Sequence, residues 1–374
     1  MPAIDSPASS FAGRTSTMPF DVRPAPRPTV AQSSIQTPRP TAAAAPRTGS
    51  APGPQSEAEP ARTSPPAAGI LVTGSHRSGT TWVGKMLAEA RGLCYLHEPF
   101  KPRWDPPYVW THFDTWFLHV ADFNAAEHER AVARTLGLRF SWRRHFAQDP
   151  SLRQLWTSTD RWLRWSSRRL RGKRPLVKDP IALFAAPWLA DRFGLDVVAL
   201  IRHPAAFASS IKLKRWHFDF GHWARQQQLM DGLLAPFAND IRRMAGHNDD
   251  LLDQAVLQWR CFHHAIRAYR NSHPHWQFVR HEDLSLDPVG GFRRMYQRLG
   301  LAFTPACEQA VRASSDAGNV PDAAAAGKAV GWVNVDSAAN IKNWQRRLTA
   351  DEIRRVREGT ADVWPEFYAD EDWE

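Results

Sequence analysis

The sequence is poor in cysteine and contains no long apolar run. Its three cysteines, Cys94, Cys261 and Cys307, are widely separated and form no Cys-x-x-Cys pair, so we expect neither a disulfide framework nor a structural zinc site. No stretch approaches the roughly 18 to 20 consecutive apolar residues of a membrane-spanning helix, and the apolar core of a secretory signal is absent from the first residues. We therefore expect no membrane span and a cytoplasmic location.

Tryptophan is absent from residues 1 to 68, although the chain contains 17. The same stretch holds 14 of the 29 prolines and consists mostly of Pro, Ala, Ser, Thr and Arg. So few large apolar side chains cannot bury enough surface to offset the entropy lost on ordering. The composition predicts a disordered leader over 1–68 and a single folded domain over 69–374.

Basic residues exceed acidic residues by 48 to 38, a formal charge of +10. The leader has six arginines and four acidic residues, which leaves a surplus of eight positive charges on residues 69–374. Such a surplus favours an anionic partner, and nucleic acid, an anionic cofactor or an acidic polymer would each satisfy it. The sequence contains no zinc-finger, helix-turn-helix or aromatic RNA-binding pattern, so we do not expect nucleic acid to be the partner.

Short apolar runs alternate with helical patterns after residue 68. The runs that predict strands are 69–73, 93–96, 175–178, 196–201 and 276–279, each closed by polar or charged residues. Helical spacing is present at about 183–193, 205–214, 223–245, 251–271 and 289–299. This alternation predicts an α/β domain with a parallel sheet flanked by helices, of the P-loop nucleotide-binding type.

The segment Gly74-Ser-His-Arg-Ser-Gly-Thr-Thr81 lies between the first predicted strand and its helix. Free backbone N–H groups and the positive end of a helix dipole make such a loop a site for phosphate or sulfate. Compared with the nucleoside-triphosphate loop Gly-x4-Gly-Lys-Ser/Thr, both glycines and Thr81 fit, but Thr80 replaces the lysine. A P-loop kinase, which needs that lysine and a carboxylate-held Mg²⁺, is therefore the less favoured alternative.

A second basic motif, Arg202-His203-Pro204, follows the predicted strand 196–201, and Ser210 comes eight residues after Arg202. Ligands of open α/β sheets bind at the carboxyl ends of the strands. A guanidinium and a hydroxyl converging there on one phosphate is the interpretation that we favour.

Together these motifs carry a family resemblance. Arg-Ser-Gly-Thr-Thr-Trp at 77–82 resembles the 5′-phosphosulfate loop of sulfotransferases that use 3′-phosphoadenosine 5′-phosphosulfate (PAPS). Arg202 with Ser210 resembles their 3′-phosphate element, and Lys178-Asp-Pro180 resembles a step of tyrosylprotein and related bacterial sulfotransferases. The resemblance implies sulfuryl transfer from PAPS to an acceptor hydroxyl, without a metal.

The resemblance also implies roles for individual residues. Those expected to bind PAPS are Arg77, Ser78, Gly79, Thr80, Thr81, Trp82, Arg202, Ser210 and Lys342. Trp82 would stack on adenine, although an aromatic residue in a first helical turn is also typical of a core anchor. Lys342 is the candidate in the last family segment because the Gly-x-x-Gly-x-x-Lys loop of the cytosolic branch is absent here.

The catalytic residues implied are Glu98, Arg77 and Lys178. Glu98 follows Arg77 by 21 residues, the interval at which tyrosylprotein sulfotransferases carry their catalytic glutamate. His97 is the alternative base, because its ordinary pKa lies near neutral pH and the cytosolic branch uses a histidine. A third possibility is that neither residue is the base.

The acceptor is the least defined part. Residues 99–174 form a helical insertion rich in arginine and containing Trp104, Trp110, Trp116, Trp142, Trp156, Trp162 and Trp165. Aromatic rings beside cations suit sugar rings, phenols and acidic groups. We expect a carbohydrate acceptor first, then a small natural product or a tyrosine; helices that bury their tryptophans in the core are the alternative. The sequence predicts no oligomeric state.

Overall fold

A computed structural model of the chain describes residues 68–103, 106–142, 152–247, 250–320 and 334–374. The predicted leader, apart from Ala68, lies outside the described residues, and so does Trp104. The division into a leader over 1–68 and a domain over 69–374 stays a prediction.

In the part of the chain that the structure describes, five parallel strands form one sheet in the order β2-β3-β1-β4-β5. Their bounds are β1 Gly69–Gly74, β2 Leu93–His97, β3 Arg174–Lys178, β4 Leu195–Ile201 and β5 Gln277–Arg280. Each predicted strand is present within two residues of its expected ends. The prediction of a parallel sheet flanked by helices is confirmed.

The helices of the described residues connect and cover these strands. They are α1 Thr80–Ala88, α2 Ala125–Leu136, α3 Leu152–Leu170, α4 Ala186–Phe193, α5 Pro204–Lys214, α6 Gly221–Ala224, α7 Gln227–Asp231, α8 Ala238–Met244, α9 Leu251–Ser272, α10 His281–Leu286, α11 Pro288–Arg298, α12 Pro305–Ser315, α13 Trp344–Arg347 and α14 Ala350–Gly359. Short 3₁₀ turns occupy Pro180–Ala185, Ala235–Phe237, Trp364–Glu366 and Asp370–Trp373. Within the described ranges, no helix combines the length and apolarity required to cross a bilayer.

Side chains of the central strand alternate between two buried layers. Leu71 packs in the layer that includes α5 and α9, whereas Ile70 and Val72 pack in the layer that includes α1, α11 and α12. Strand β1 is buried along its whole length. Helices on both faces of a parallel sheet produce such continuously apolar strands.

The predicted helix over 223–245 is wrong as a single element. The structure divides the stretch among α6, α7, a 3₁₀ turn and α8. Gly232 and Pro236 lie at the interruptions; glycine gains no side-chain packing in a helix, and proline cannot donate the i to i−4 hydrogen bond. The apolar spacing is helical, but Gly232 and Pro236 interrupt the helix.

Gly74 allows the end of β1 to run directly against β4. Its φ is +131°, and a Cβ there would lie 2.3 Å from the backbone oxygen of Leu200. The loops that follow β1 and β4 can meet only if the ends of these two strands are adjacent. The close contact at Gly74 keeps those two carboxyl ends together.

We expect Gly74→Ala to lower the free energy of unfolding by about 2 kcal/mol or more, since it adds a backbone clash to a strained φ. Gly92→Ala is the matched control: its φ is +90°, but no atom of the described residues lies within 4 Å of the added Cβ, so about 1 kcal/mol of strain is expected. Urea unfolding of both variants measures the difference, and equal losses would contradict the proposed contact.

Candidate active site

The loop after β1 ends at the amino terminus of α1. Gly79 is the N-cap with φ +90°, and no side chain among the described residues caps it. The first N–H groups of a helix have no intrahelical partner, so this end can bind an anion. Inside the loop, buried Ser78 donates its hydroxyl to the Ser75 carbonyl at 2.5 Å. Ser78, Gly79, Thr80 and Thr81 thus lie where the sequence predicted them.

His76 anchors this loop in the protein interior. Its ring packs against Phe117, Phe207, Trp216 and Phe262 at centroid distances of 5.1 to 6.0 Å. Its Nδ1 is buried without a hydrogen-bond partner among the described residues. Burial, and then the charge of Arg77, lower the pKa of His76 to about 3. The ring is therefore neutral and serves packing.

Arg77, the next residue, is exposed and adopts a left-handed φ of +65°, and its guanidinium lies over the Trp216 ring at 5.5 Å. Arg77 Nε donates to the hydroxyl of Ser210, a residue of helix α5, at 2.9 Å. Arg202, at the end of β4, donates from its guanidinium to the Arg77 carbonyl at 3.3 Å. The two predicted phosphate motifs therefore meet at one place on the carboxyl edge of the sheet.

Arg347 is the site residue that the sequence analysis missed. The pKa of Arg77 is lowered by burial, then by the charge of Arg202 and then by that of Arg347. The pKa of Arg202 is lowered mainly by burial, and the charge of Arg347 adds to this. Arg347 ends α13, whose Trp344 stacks on His203 at a centroid distance of 5.2 Å. The Arg346-Arg347 pair beyond Trp344 was the available signal. The charges of Arg202 and Arg347 therefore both act on Arg77, an arrangement that favours an anionic ligand.

Lys342, the predicted residue of the same segment, bonds elsewhere. Its Nζ donates to the backbone oxygen of Glu374. Its charge contributes to the lowered pKa of His203, after burial and the charges of Arg280 and Arg202. Arg347, rather than Lys342, is thus the residue of this segment whose charge acts on Arg77 and Arg202.

Glu282 holds Arg202 from the buried side. Its Oε1 lies 3.8 Å from Arg202 Nε and accepts the His203 backbone N–H at 3.1 Å. Its Oε2 accepts the hydroxyl of Tyr368, near the end of the chain, at 2.9 Å. Trp373 packs edge-on against His203 at 4.4 Å. The C-terminal segment therefore supports the arginine that the sequence assigned to phosphate binding.

Lys178, the last residue of β3, and Glu98, which follows β2, form a close ion pair with Nζ and Oε1 2.5 Å apart. Lys178 is 1% exposed, and the Glu98 side chain is 21% exposed. A buried ammonium requires such a partner. Gly84 of α1 makes room, because a Cβ there would lie 2.8 Å from Lys178 Cγ. Two of the three predicted catalytic residues are in direct contact.

The backbone at Glu98 is strained, with φ +45°, and two hydrogen bonds hold the turn. Glu98 N–H donates to the Lys178 carbonyl at 2.9 Å. Asp179 accepts the next amide along, Phe100 N–H, at 2.7 Å, and also Ile181 N–H at 2.9 Å. Desolvation, followed by the charge of Glu98, raises the pKa of Asp179 to about 7. Asp179 is thus the residue that fixes the turn carrying Glu98.

His97, the alternative base, lies at the same edge. Its Nε2 is 4.0 Å from Glu98 Oε2, and its Nδ1 is 3.3 Å from the Tyr95 hydroxyl. Desolvation, then the charge of Lys178, lower its pKa, although Glu98 acts against them. The geometry brings both candidate bases to the site.

Trp82 is packed in the core. It is 7% exposed, donates Nε1–H to the Ser314 hydroxyl at 2.9 Å and meets Phe292 edge-on at 5.2 Å. These contacts are those of a helix anchor, and adenine stacking stays a prediction.

The tryptophans of the insertion divide into two groups. Trp165 is 8% exposed and stacks on Tyr108, and Trp110 donates to the Arg139 carbonyl at 2.8 Å. Trp156 and Trp162 are 77% and 43% exposed. Core packing therefore accounts for part of the set, and the exposed pair lies on α3.

A model of the sulfotransferase family matches residues 69–305. No curated protein matches the chain. Similar solved structures include the sulfotransferase domain of the Synechococcus PCC 7002 olefin synthase, 16% identical over 84% of this chain and 99% of that one, with a TM-score of 0.43. Another is mouse sulfotransferase SULT7A1 complexed with PAP, 10% identical over 82% of this chain and 87% of that one, with a TM-score of 0.38. The family assignment rests on the family model alone.

Replacing His76 tests the acid sensitivity that its burial creates. Because the unfolded histidine binds a proton near pH 6.5 and the folded one only near pH 3, its contribution to stability is lost as the pH falls from about 6.5 to 3. His203 and His263, with pKa values also lowered to about 3, act in the same direction. The raised pKa of Asp179 has the opposite effect on the pH dependence of stability.

We therefore expect His76→Phe, which also removes the unpartnered Nδ1, to flatten the fall in the free energy of unfolding between pH 6.5 and 4. Denaturant titrations across this range provide the measurement. The exposed His275, changed to Gln, is the control and should leave the slope unchanged. A slope for His76→Phe equal to that of the unchanged protein would refute the assignment.

Proposed function

Because the chain belongs to the sulfotransferase family, we propose that it moves a sulfuryl group from PAPS to the hydroxyl of an acceptor. The observation that carries this proposal is the meeting of Arg77, Ser210 and Arg202 beside the uncapped start of α1. Two anionic ends of one nucleotide would be bound there, one by the loop and one by the arginines.

Both anionic groups of PAPS would have binding partners in this site. The amides of Gly79, Thr80 and Thr81 with the Arg77 guanidinium would bind the 5′-phosphosulfate, since a helix start and a cation both favour negative charge. Arg202, Ser210 and Arg347 would bind the 3′-phosphate. The bound anion would offset the repulsion that Arg202 and Arg347 exert on Arg77.

The reaction itself needs positioning, a proton acceptor and charge neutralisation. The acceptor hydroxyl oxygen forms the new bond to sulfur while the bond from sulfur to the bridging phosphate oxygen breaks, and adenosine 3′,5′-bisphosphate leaves with the electron pair. Glu98 would take the hydroxyl proton. Lys178, in contact with Glu98, would stabilise the charge that develops on the leaving oxygen.

A carbohydrate is the acceptor class that we favour. The support is an arginine over a half-buried aromatic ring in the insertion between β2 and β3: Arg134 covers the ring of Trp110 at 4.8 Å. The residue after Trp110, Thr111, donates its hydroxyl to the carbonyl of Pro99, which follows Glu98. Such pairs suit sugar hydroxyls and ring faces.

Arg347→Ala should weaken binding of adenosine 3′,5′-bisphosphate by about tenfold to a hundredfold, the usual loss of a charge-assisted contact. Arg202→Ala should have an effect at least as large. Isothermal titration calorimetry measures both. The neighbouring Arg346, exposed and bonded to Asn343, provides the control Arg346→Ala, which should bind normally.

Undiminished binding by the Arg347 and Arg202 variants would refute the 3′-phosphate site. A chain that is stabilised against heat by ATP, but not by adenosine 3′,5′-bisphosphate, would refute PAPS as the donor and favour a kinase-like activity.

Glu98→Gln should lower turnover by about 10²- to 10⁴-fold, the range for loss of a general base, while binding of adenosine 3′,5′-bisphosphate is retained. His97→Gln is the matched variant one residue away and should retain most turnover. Sulfation of an acceptor found by screening, with labelled PAPS, measures both. The opposite pattern would identify His97 as the base, and full activity in both variants would exclude each of them.

A further inference from the structure

In the part of the chain that the structure describes, Arg77 forms no ion pair that would balance its charge. The nearby Arg202, by contrast, faces the Glu282 carboxylate at 3.8 Å. Burial, followed by the charges of Arg202 and Arg347, lowers the pKa of Arg77. These neighbouring cations repel the Arg77 guanidinium, so uncharged groups must hold it at the loop.

Trp216 supplies one of the contacts that hold this guanidinium. The Arg77 guanidinium carbon lies 5.5 Å from the centroid of the Trp216 ring, while Arg77 Nε donates to the Ser210 hydroxyl at 2.9 Å. The quadrupole of an aromatic ring attracts a cation over its face, and tryptophan is the ring that does so most strongly. The same ring lies 6.0 Å from that of His76, so Trp216 contacts two successive residues of the loop.

The end of helix α5 places Trp216 beside the loop. Arg215 follows the helix with a left-handed φ of +51°. Its N–H donates to the Lys212 carbonyl at 3.1 Å, and the Trp216 N–H donates to the Ile211 carbonyl at 3.2 Å. These two bonds form a Schellman cap, in which glycine is the usual left-handed residue. The chain therefore has a strained residue directly before the ring that faces the loop.

A ring holds a cation without neutralising it. A carboxylate in the same place would form an ion pair with Arg77 and compete with an anionic ligand for the guanidinium. The Trp216 ring carries no net charge, so the positive charge of Arg77 remains for such a ligand. Trp216 is 47% exposed, and burial in the core therefore does not account for a tryptophan at this position.

We propose that Trp216 is a positioning residue, which holds the Arg77 guanidinium in place for the 5′-phosphosulfate of the donor. The proposal rests on the proposed function, in which Arg77 binds that group. The Ser210 hydroxyl restrains the guanidinium at Nε, and the Trp216 ring restrains its face. An arginine that is held in advance loses less side-chain freedom when the anion binds, so the affinity for the anion is higher.

Isothermal titration calorimetry of the full chain with adenosine 3′,5′-bisphosphate tests this role. Trp216→Leu should weaken binding about two- to fivefold, because the leucine fills space but lacks the negative face of the ring. Trp216→Phe, which keeps an aromatic face, should restore part of the loss. Leu213→Ala is the matched control, because Leu213 lies on the same helix and is equally exposed at 47%, and it should bind as the unchanged chain does.

Coupling to Arg77 separates positioning from a general structural effect. In an Arg77→Gln background, adding Trp216→Leu should cause no further loss of binding, because the ring acts through the guanidinium. Circular dichroism checks that each variant is folded. Undiminished binding by Trp216→Leu, or an equal loss with and without Arg77, would overturn the proposal and leave the donor site intact. Normal binding by Arg77→Gln would overturn both the donor site and the role of Trp216.

Discussion

Repulsion among positive charges at the carboxyl edge of the sheet is the constraint on which the site depends. Arg77, Arg202 and Arg347 come from three separate parts of the chain. Burial, and then the charges of Arg202 and Arg347, lower the pKa of Arg77, and burial followed by the charge of Arg347 lowers the pKa of Arg202. The carboxylate that faces Arg202 is Glu282, at 3.8 Å. A folded chain holds like charges this close only if the surrounding packing fixes them, and a bound polyanion then gains from charge already in place.

The surrounding packing comes largely from the end of the chain. Glu282 is fixed by the His203 amide and by the Tyr368 hydroxyl. Trp344 and Trp373 enclose the His203 ring, which burial keeps neutral by lowering its pKa to about 3. A charged imidazole there would add to the repulsion. The C-terminal segment is thus part of the site even though it supplies no predicted catalytic group.

Two residues with a strained backbone lie in the loops that follow β1 and β2. Arg77 and Glu98 both adopt left-handed φ values, which cost non-glycine residues about 1 to 3 kcal/mol each. At Arg77 the left-handed backbone follows His76, which packs among aromatic rings, and the Arg77 guanidinium reaches the Ser210 hydroxyl. At Glu98 it turns the carboxylate onto Lys178, while Asp179 holds the following amide. Strain of this kind persists where the neighbours over-determine the backbone, as the buried aromatic rings and hydrogen bonds do here.

By itself the sequence determined the strands and the placement of the loop between β1 and α1, because each depends on residues close together in the chain. It predicted one helix over 223–245 where glycine and proline divide the stretch, since apolar spacing does not register a local break. Only the tertiary structure decided that Arg347 joins Arg77, that Glu282 and Tyr368 support Arg202, and that Trp82 packs in the core. Those outcomes depend on which helix packs beside which strand end, and no local pattern encodes the distance between segments that meet only after folding.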